Sequence, residues 1–429
     1  MKKIVLLFCA LACLIACHDD DNEEKDWTVP SKASRTVMIY MSGENNLTYY
    51  NYNGFRYLSA DLNEIIEGSK KLADNERLVI FVDSLNTNAK QAGKPFIMEV
   101  HGGKTFNRHE FDSDFYACDP ARFREILQWM TTNAQADSYG LVLWGHACGW
   151  AVSTDTIAGA RRYDTRAYGQ DNGSDGNGNG VRWMNITQMA KVLQEFPKME
   201  FIFADCCNMM CAEVGYELRN TTKYLIGSPA EIPGRGAPYH LLVPYFYKNG
   251  AELYRGIIDN YYDYYLEDFE NDYQLDGYSV PLSVMDTQNQ NMEELARATY
   301  DVLGTFFPEK PQMPDFNGLV FYWYPDVPVM YDMKAFIKQN ASPEAYAKWE
   351  TAFKRAVPYY RMSMEWMTIY AELEYAFNYF NQDESMNGCV SMFVPKENAY
   401  YNYYGIWRYN YTSKNLSWNR ELGWERFGW

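Results

Sequence analysis

A cysteine and a histidine in this chain stand where nucleophilic chemistry could occur. Cys207 follows the apolar run Phe201-Ile202-Phe203-Ala204 and Asp205, and His146 follows Gly140-Leu141-Val142-Leu143-Trp144 and Gly145. A thiol attacks a carbonyl only as thiolate, and an imidazole that accepts its proton raises that fraction near neutral pH. A Cys/His dyad is therefore sufficient for acyl transfer. Of the histidines His18, His101, His109, His146 and His240, only His146 follows a strong apolar run through a glycine-bearing turn. Cys206 precedes Cys207, and successive residues of an extended chain point to opposite faces, so an assignment by spacing alone is open by one residue.

The same atoms admit other chemistry. Cys148, Cys206, Cys207, Cys211 and His146 could be imagined as thiolate and imidazole ligands, but no Cys-x-x-Cys knuckle is present, so no metal is expected on them. A third reading makes His146 and Cys207 plain core residues. Between them lies a glycine- and asparagine-rich loop, Gly169 to Gly180, in which Asp175-Gly176-Asn177-Gly178-Asn179-Gly180 fits the first half of a calcium loop. Its twelfth position is Ile186, where a bidentate Glu belongs, so a plain exposed loop competes with calcium; no other cofactor is expected.

These residues need a scaffold, and the chain supplies one. It has 429 residues, 47% of them hydrophobic, which excludes global disorder. Apolar runs at 36–41, 78–82, 140–144 and 201–204 are nearly continuous, the pattern of parallel strands buried on both faces. Helical patterns at 61–72, 120–132, 186–196 and 212–220 alternate with them, so residues 35–240 read as an α/β layered domain. In such sheets, sites form beyond the carboxyl ends of the strands, where His146 and Cys207 stand. Residues 241–429 differ in composition: an acidic, aromatic helix pattern spans Tyr254 to Tyr273, and Tyr400 to Trp429 is dense in rings. Those rings either pack an accessory region or bind glycan or peptide.

The formal charge of −17, with no Lys/Arg cluster, excludes a nucleic-acid partner, because phosphate binding needs a concentrated positive footprint. Cys118, Cys148, Cys206, Cys207, Cys211 and Cys389 are too sparse for a disulfide framework. At the N-terminus Lys2 and Lys3 precede the apolar run Ile4 to Ala16, the size of a secretory signal core. The run ends Leu14-Ile15-Ala16-Cys17, which resembles a lipobox. Residues 1–16 then read as a signal peptide, Cys17 as the lipidated first residue that anchors the chain to a membrane, and residues 17–34, with the acidic tract His18 to Glu24, as a tether. The expected location is the bacterial outer membrane, facing the periplasm or the cell surface.

Asn45-Asn46-Leu47, Asp61-Leu62-Asn63-Glu64, Asp119-Pro120, Leu143-Trp144-Gly145-His146, Asp205-Cys206-Cys207 and Glu213-Val214-Gly215-Tyr216-Glu217-Leu218 together resemble the clostripain family of cysteine peptidases. The resemblance is close from Arg35 to Tyr239 and looser beyond, where Leu282 to Asp286 and Gly388 to Pro395 are similar to the family's accessory region. It implies a caspase-like α/β sandwich of three layers with a mostly parallel central sheet, and an endopeptidase that cleaves peptides after basic residues. It puts Cys207 on the nucleophile, His146 on the catalytic histidine, and Asp205 on the acid flooring the S1 pocket, where it would hold a P1 guanidinium.

This sequence departs from the pattern in two places. Ala147 and Cys148 follow the histidine where the family has Gly and a small polar residue. The backbone N–H groups near Ala147 and Cys207 are the implied oxyanion donors, and a positive φ at Ala147 would add strain of about 1 kcal/mol. In the loop Glu231 to Tyr239, Arg235 stands between glycines where members that prefer basic residues carry an acid. A guanidinium beside Asp205 would turn the pocket toward acidic or neutral P1 residues. Arg161, Arg162, Arg166 and Arg182 are the implied self-processing sites, and the alternative to an enzyme is an inactive homologue, a surface lipoprotein that binds peptide or glycan.

Overall fold

The computed structural model describes residues 27–48, 56–86, 91–151, 168–173, 180–270, 277–306, 315–323, 328, 330–370, 375–379, 384–395 and 413–427. Cys17, the tether as far as residue 26, Arg161, Arg162, Arg166 and residues 174–179 of the candidate calcium loop lie outside the described residues.

In chain order the elements are β1 (Ala33–Gly43), α1 (Tyr57–Gly68), β2 (Glu76–Asn86), β3 (Gln91–Ala92), β4 (Phe96–His101), β5 (Lys104–Glu110), α2 (Pro120–Asn133), β6 (Ala136–Trp144), β7 (Tyr168–Asp171), β8 (Arg182–Met184), α3 (Ile186–Leu193), β9 (Met199–Asp205), α4 (Ala212–Leu218) and β10 (Thr222–Gly227). The chain continues through α5 (Tyr239–Leu242), α6 (Gly250–Phe269), β11 (Leu282–Asp286), α7 (Asn291–Phe306), β12 (Met330–Asp332), α8 (Met333–Asn340), α9 (Pro343–Ala356), β13 (Tyr359–Arg361), β14 (Glu365–Tyr370), β15 (Tyr375–Tyr379), β16 (Ser391–Phe393) and α10 (Ser417–Leu422).

A ten-stranded sheet runs β13-β11-β10-β9-β6-β1-β2-β4-β5, with the short β3 on the end of β2. Its centre, β10-β9-β6-β1-β2, is parallel. Burial on both faces explains the continuous apolar runs: Val37, Ile39 and Met41 pack into one core with α1, α5 and α6, while Met38 and Tyr40 pack into the other with α2, α3 and α4. The result is an α/β layered fold, as the alternation of strand and helix patterns predicts, in the three-layer form that the resemblance implies. α2 begins where the sequence signals it, with Pro120 in the first turn and the Asp119 carboxylate accepting the Ala121 N–H at 2.7 Å.

The expected division at residue 240 does not divide the sheet. β11 and β13, from the C-terminal region, pair antiparallel onto β10 and β11 and cover an edge that the first 240 residues would leave open. β16 is joined to the loop beyond β9: Ser391 N–H donates to Met210 O at 3.0 Å, and the buried Glu213 carboxylate accepts the Phe393 N–H at 2.8 Å. The aromatic residues described here are packing residues for the most part, with Trp349, Trp366 and Trp418 fully buried and Trp418 edge-on to Tyr216 of α4.

Burial pushes Glu213 up from 4.5 to about 7, against the pull of the Phe393 N–H. A carboxyl raised on folding binds more protons in the native state. Its contribution is full below pH 4.5 and is lost as pH rises through about 7, at about 1.4 kcal/mol per pH unit within that window. Glu213→Gln keeps an acceptor for Phe393 and should remove this fall. Denaturant unfolding at pH 5 and pH 7.5 should show the wild type losing stability relative to the variant by about 2 to 3 kcal/mol; parallel curves would refute it.

Candidate active site

The register of two parallel strands builds the site. Trp144, the last residue of β6, pairs with Asp205, the last residue of β9. Two residues further along each strand come His146 and Cys207. Gly145 makes the turn out of β6 with φ +136°, and a Cβ there would sit 2.8 Å from the Ser42 carbonyl oxygen, so the strand can leave the sheet this closely only as glycine. Gly149 closes the same turn at φ +57°, where a Cβ would collide with Asn208 O. The positive φ values fall on these two glycines and not on Ala147, so the strain expected at Ala147 is absent.

The histidine loop is held by β7. Gly169 N–H donates to His146 O at 2.8 Å, and Ala147 bridges antiparallel to Tyr168. The imidazole is half-buried, and its Nε2 lies 2.6 Å from Asn46 Oδ1. Asn46 belongs to the turn after β1, which Asn45 fixes by donating from Nδ2 to Ser42 O at 3.0 Å and Gln170 O at 2.8 Å. The sequence offered the Asn45-Asn46-Leu47 segment as a point of resemblance and gave no sign that its second amide meets the histidine.

The two neighbouring cysteines occupy different surroundings. Cys206 is fully buried in the core on the α2, α3 and α4 face, whereas Cys207 is 9% exposed and its Sγ accepts the Ile232 N–H at 3.4 Å. Burial pushes both thiols well above the usual range. At Cys207 the negative charge of Glu231 adds to that rise and the Ile232 N–H opposes it. The resting thiol is therefore protonated, and it needs a base to become a nucleophile. All six described cysteines are free thiols.

Asp205 is 3% exposed, and its donors are all neutral: Oδ2 accepts from Ala237 N–H at 3.1 Å and Tyr239 OH at 2.8 Å, and Oδ1 from Tyr261 OH at 3.2 Å. Gly236, at φ +64°, lets the loop close on it, since a Cβ there would meet Asp205 Oδ2 at 2.8 Å. Burial raises Asp205 to about 6, while these three donors pull it down. Beside it Asp61, which accepts from Trp144 Nε1 at 2.6 Å, is pushed well up by burial and then by the Asp205 charge.

Arg235 does not take the place expected for it beside Asp205. Its Nη1 lies 3.3 Å from Asp268 Oδ1 of α6, because the loop turns that side chain outward at half exposure. Between α1 and this loop lies a cavity of about 160 Å³ lined by Asp61, Glu64, Arg235, Gly236 and Tyr264. Of the candidate processing residues, Arg182 is described, its guanidinium 4.1 Å over the Tyr116 ring. Among the described residues, the metal-ligand atoms that converge belong to Glu44, Asp83 and Asp114, not to the cysteines.

The family model described as the clostripain family matches residues 39–429. Among solved structures the chain is similar to a secreted C11 cysteine protease from Bacteroides thetaiotaomicron in complex with an irreversible peptide inhibitor, with 25% identity, TM-score 0.72, and coverage of 92% of this chain and 99% of that one. It is similar to an inactive zymogen C11 protease from Parabacteroides distasonis, with 25% identity, TM-score 0.71 and the same coverage of both chains. A cysteine protease of B. fragilis matches at 30% identity and TM-score 0.50 over 60% of this chain and 98% of that one. No curated protein matches the chain.

Proposed function

The chain belongs to the clostripain family of cysteine peptidases, and from that premise we propose that Cys207 is its nucleophile and His146 the base that activates it. It is a hydrolase that cuts peptide bonds. The observation that carries the assignment is the Trp144–Asp205 register, from which His146 and Cys207 are each two residues removed on adjacent parallel strands.

In this reading His146 takes the Cys207 proton and the thiolate adds to the scissile carbonyl carbon. The backbone N–H groups near Ala147 and Cys207 receive the developing oxyanion; loss of one such donor typically costs about 10² to 10³ in rate. Collapse of the adduct breaks the C–N bond, and the imidazolium returns its proton to the leaving amine. Water, deprotonated by His146, then hydrolyses the thioester.

Asn46 acts as the orienting partner. With its amide oxygen facing the ring, Nε2 carries the proton and Nδ1 is left as the basic nitrogen. Asn46→Ala should lower kcat about tenfold and leave KM within about twofold, because the ring loses its orientation and not its substrate contacts. An unchanged kcat under saturating peptide would refute this role.

A basic P1 residue fits the pocket charge. Asp205 is a buried carboxylate whose donors are all neutral, and the one arginine of its loop is paired with Asp268, so a P1 guanidinium or ammonium would supply the missing cation. Lipid anchoring through Cys17 completes the reading. It rests on the Leu14-Ile15-Ala16-Cys17 pattern, and the similar B. thetaiotaomicron protease is described as secreted. Among the described residues no helix is long and apolar enough to cross a membrane. Cys17→Ala should release the protein from the membrane fraction.

A further inference from the structure

We propose that Glu231 holds Cys207 as an unreactive thiol at rest, so that the nucleophile forms only when His146 takes its proton. This role rests on Cys207 as the nucleophile. The half-buried Glu231 side chain shares a hydrogen bond with the Cys207 thiol, and the next residue, Ile232, brings its N–H to Sγ at 3.4 Å. A carboxylate has no proton to give, so the thiol donates and the carboxylate accepts. The two contacts act in opposite directions: the carboxylate favours S–H, and the N–H favours the thiolate.

Backbone pairing fixes Glu231 beside the sulfur. The chain turns straight after the cysteine, with Asn208 at φ +60°. Asn208 N–H donates to Ala230 O at 2.9 Å and Met210 N–H to Ser228 O at 3.0 Å, which lays residues 228–231 along the segment that follows Cys207. At its other end the loop is closed by Gly236 N–H on Pro233 O at 2.9 Å and by Ala237 N–H on Asp205 Oδ2 at 3.1 Å. The loop is thus tied to the residues on either side of the cysteine pair, Asp205 and Asn208, and Glu231 lies between those ties.

Charge gives the contact its effect. A thiolate largely shielded from water and facing a carboxylate within hydrogen-bond reach meets a like charge, which disfavours its ionisation. Cys148, in the turn after His146, acts on the sulfur in the same direction more weakly. An imidazolium formed at His146 is the positive charge that offsets Glu231 during proton transfer: the S–H bond breaks, the N–H bond forms at the ring, and Glu231 gains no proton. Thiolate is also the form that oxidants attack, so the hold shields the sulfur between turnovers.

Iodoacetamide alkylation of the full chain without peptide, followed across pH with the adduct located on Cys207 by mass spectrometry, tests this role. Glu231→Gln keeps an oxygen for the thiol and removes the charge; Glu231→Ala removes both. In each, the midpoint of the alkylation profile should move to lower pH. The rate at pH 7 should rise at least about threefold, because a tenfold gain in thiolate is partly cancelled by its lower nucleophilicity. A loop that merely loosens would speed alkylation with the midpoint unmoved. Glu344→Gln, at an exposed position of α9, should match the wild type. An unmoved midpoint in both Glu231 variants, or no adduct on Cys207 in any form, would overturn the hold. An unmoved midpoint beside a Cys207→Ala that no longer cuts peptide removes the hold and leaves the nucleophile in place. A moved midpoint beside a Cys207→Ala that still cuts peptide removes the nucleophile instead.

Discussion

Cys207→Ala should lower kcat/KM for peptide cleavage by at least about 10⁴-fold, since removal of a nucleophile leaves only binding and oxyanion stabilisation. The melting temperature should hold, because Cys207 lies outside the two hydrophobic cores and its sulfur contacts, with Ile232 N–H and the Glu231 side chain, are those of a loop. Cys206→Ala should behave in the opposite way. Cys206 is fully buried in the core, so its truncation should cost about 1 to 2 kcal/mol of stability while leaving activity within a few fold. His146→Ala should match Cys207→Ala in kinetics.

The paired variants decide the one-residue ambiguity that spacing leaves open. An inactive Cys206→Ala beside an active Cys207→Ala would move the nucleophile to the other thiol. If no form cleaves any peptide, before or after limited trypsin treatment, the chain is a binding homologue. The protonated resting state of Cys207 gives a further handle, since alkylation by iodoacetamide should be slow in the wild type and slower still in His146→Ala.

Asp205→Asn should lower kcat/KM for peptides with Arg or Lys at P1 by about 10² to 10³-fold, the cost of leaving a buried cation without its partner. Peptides with a neutral P1 should change by no more than a few fold, which separates lost charge recognition from a collapsed loop. The pH profile carries the same information with a definite sign. Asp205 sits at about 6, so in the wild type kcat/KM for a basic P1 should rise as pH climbs through 6 and the carboxyl ionises. That limb should vanish in Asp205→Asn.

Arg235→Ala should leave the preference for basic residues in place, because the guanidinium is held by Asp268 and not by Asp205. An enzyme that prefers an acidic P1, and loses that preference in Arg235→Ala, would overturn this pocket and make Arg235 the selector.

Local patterns carried much of the architecture. The strands β1, β2, β6 and β9 are legible because a strand buried on both faces needs a continuous apolar run. α2 is legible from the Asp119-Pro120 start and from Phe123, Ile126, Leu127 and Met130, all buried as their spacing requires. The candidate dyad was visible for the same reason: strand ends are local features, and His146 and Cys207 stand just past two of them.

Other features were decided by tertiary structure alone. Nothing near Leu282 or Tyr359 states that these segments extend the sheet of the first half; the open edge of β10 decides it. Asn46 meets His146 across 100 residues of chain. Arg235 reads in sequence as a neighbour of Asp205, and only the packing of α6 against its loop gives it Asp268 as a partner while it still lines the cavity. Glu44, Asp83 and Asp114 come together only once β2 lies beside β1. The sequence by itself determined which faces are buried, where strands and helices begin, and which residues could do chemistry, because burial and capping act over a few residues. The fold decided which distant groups meet, because register and sheet closure are set by the free energy of the whole core and not by any segment of it.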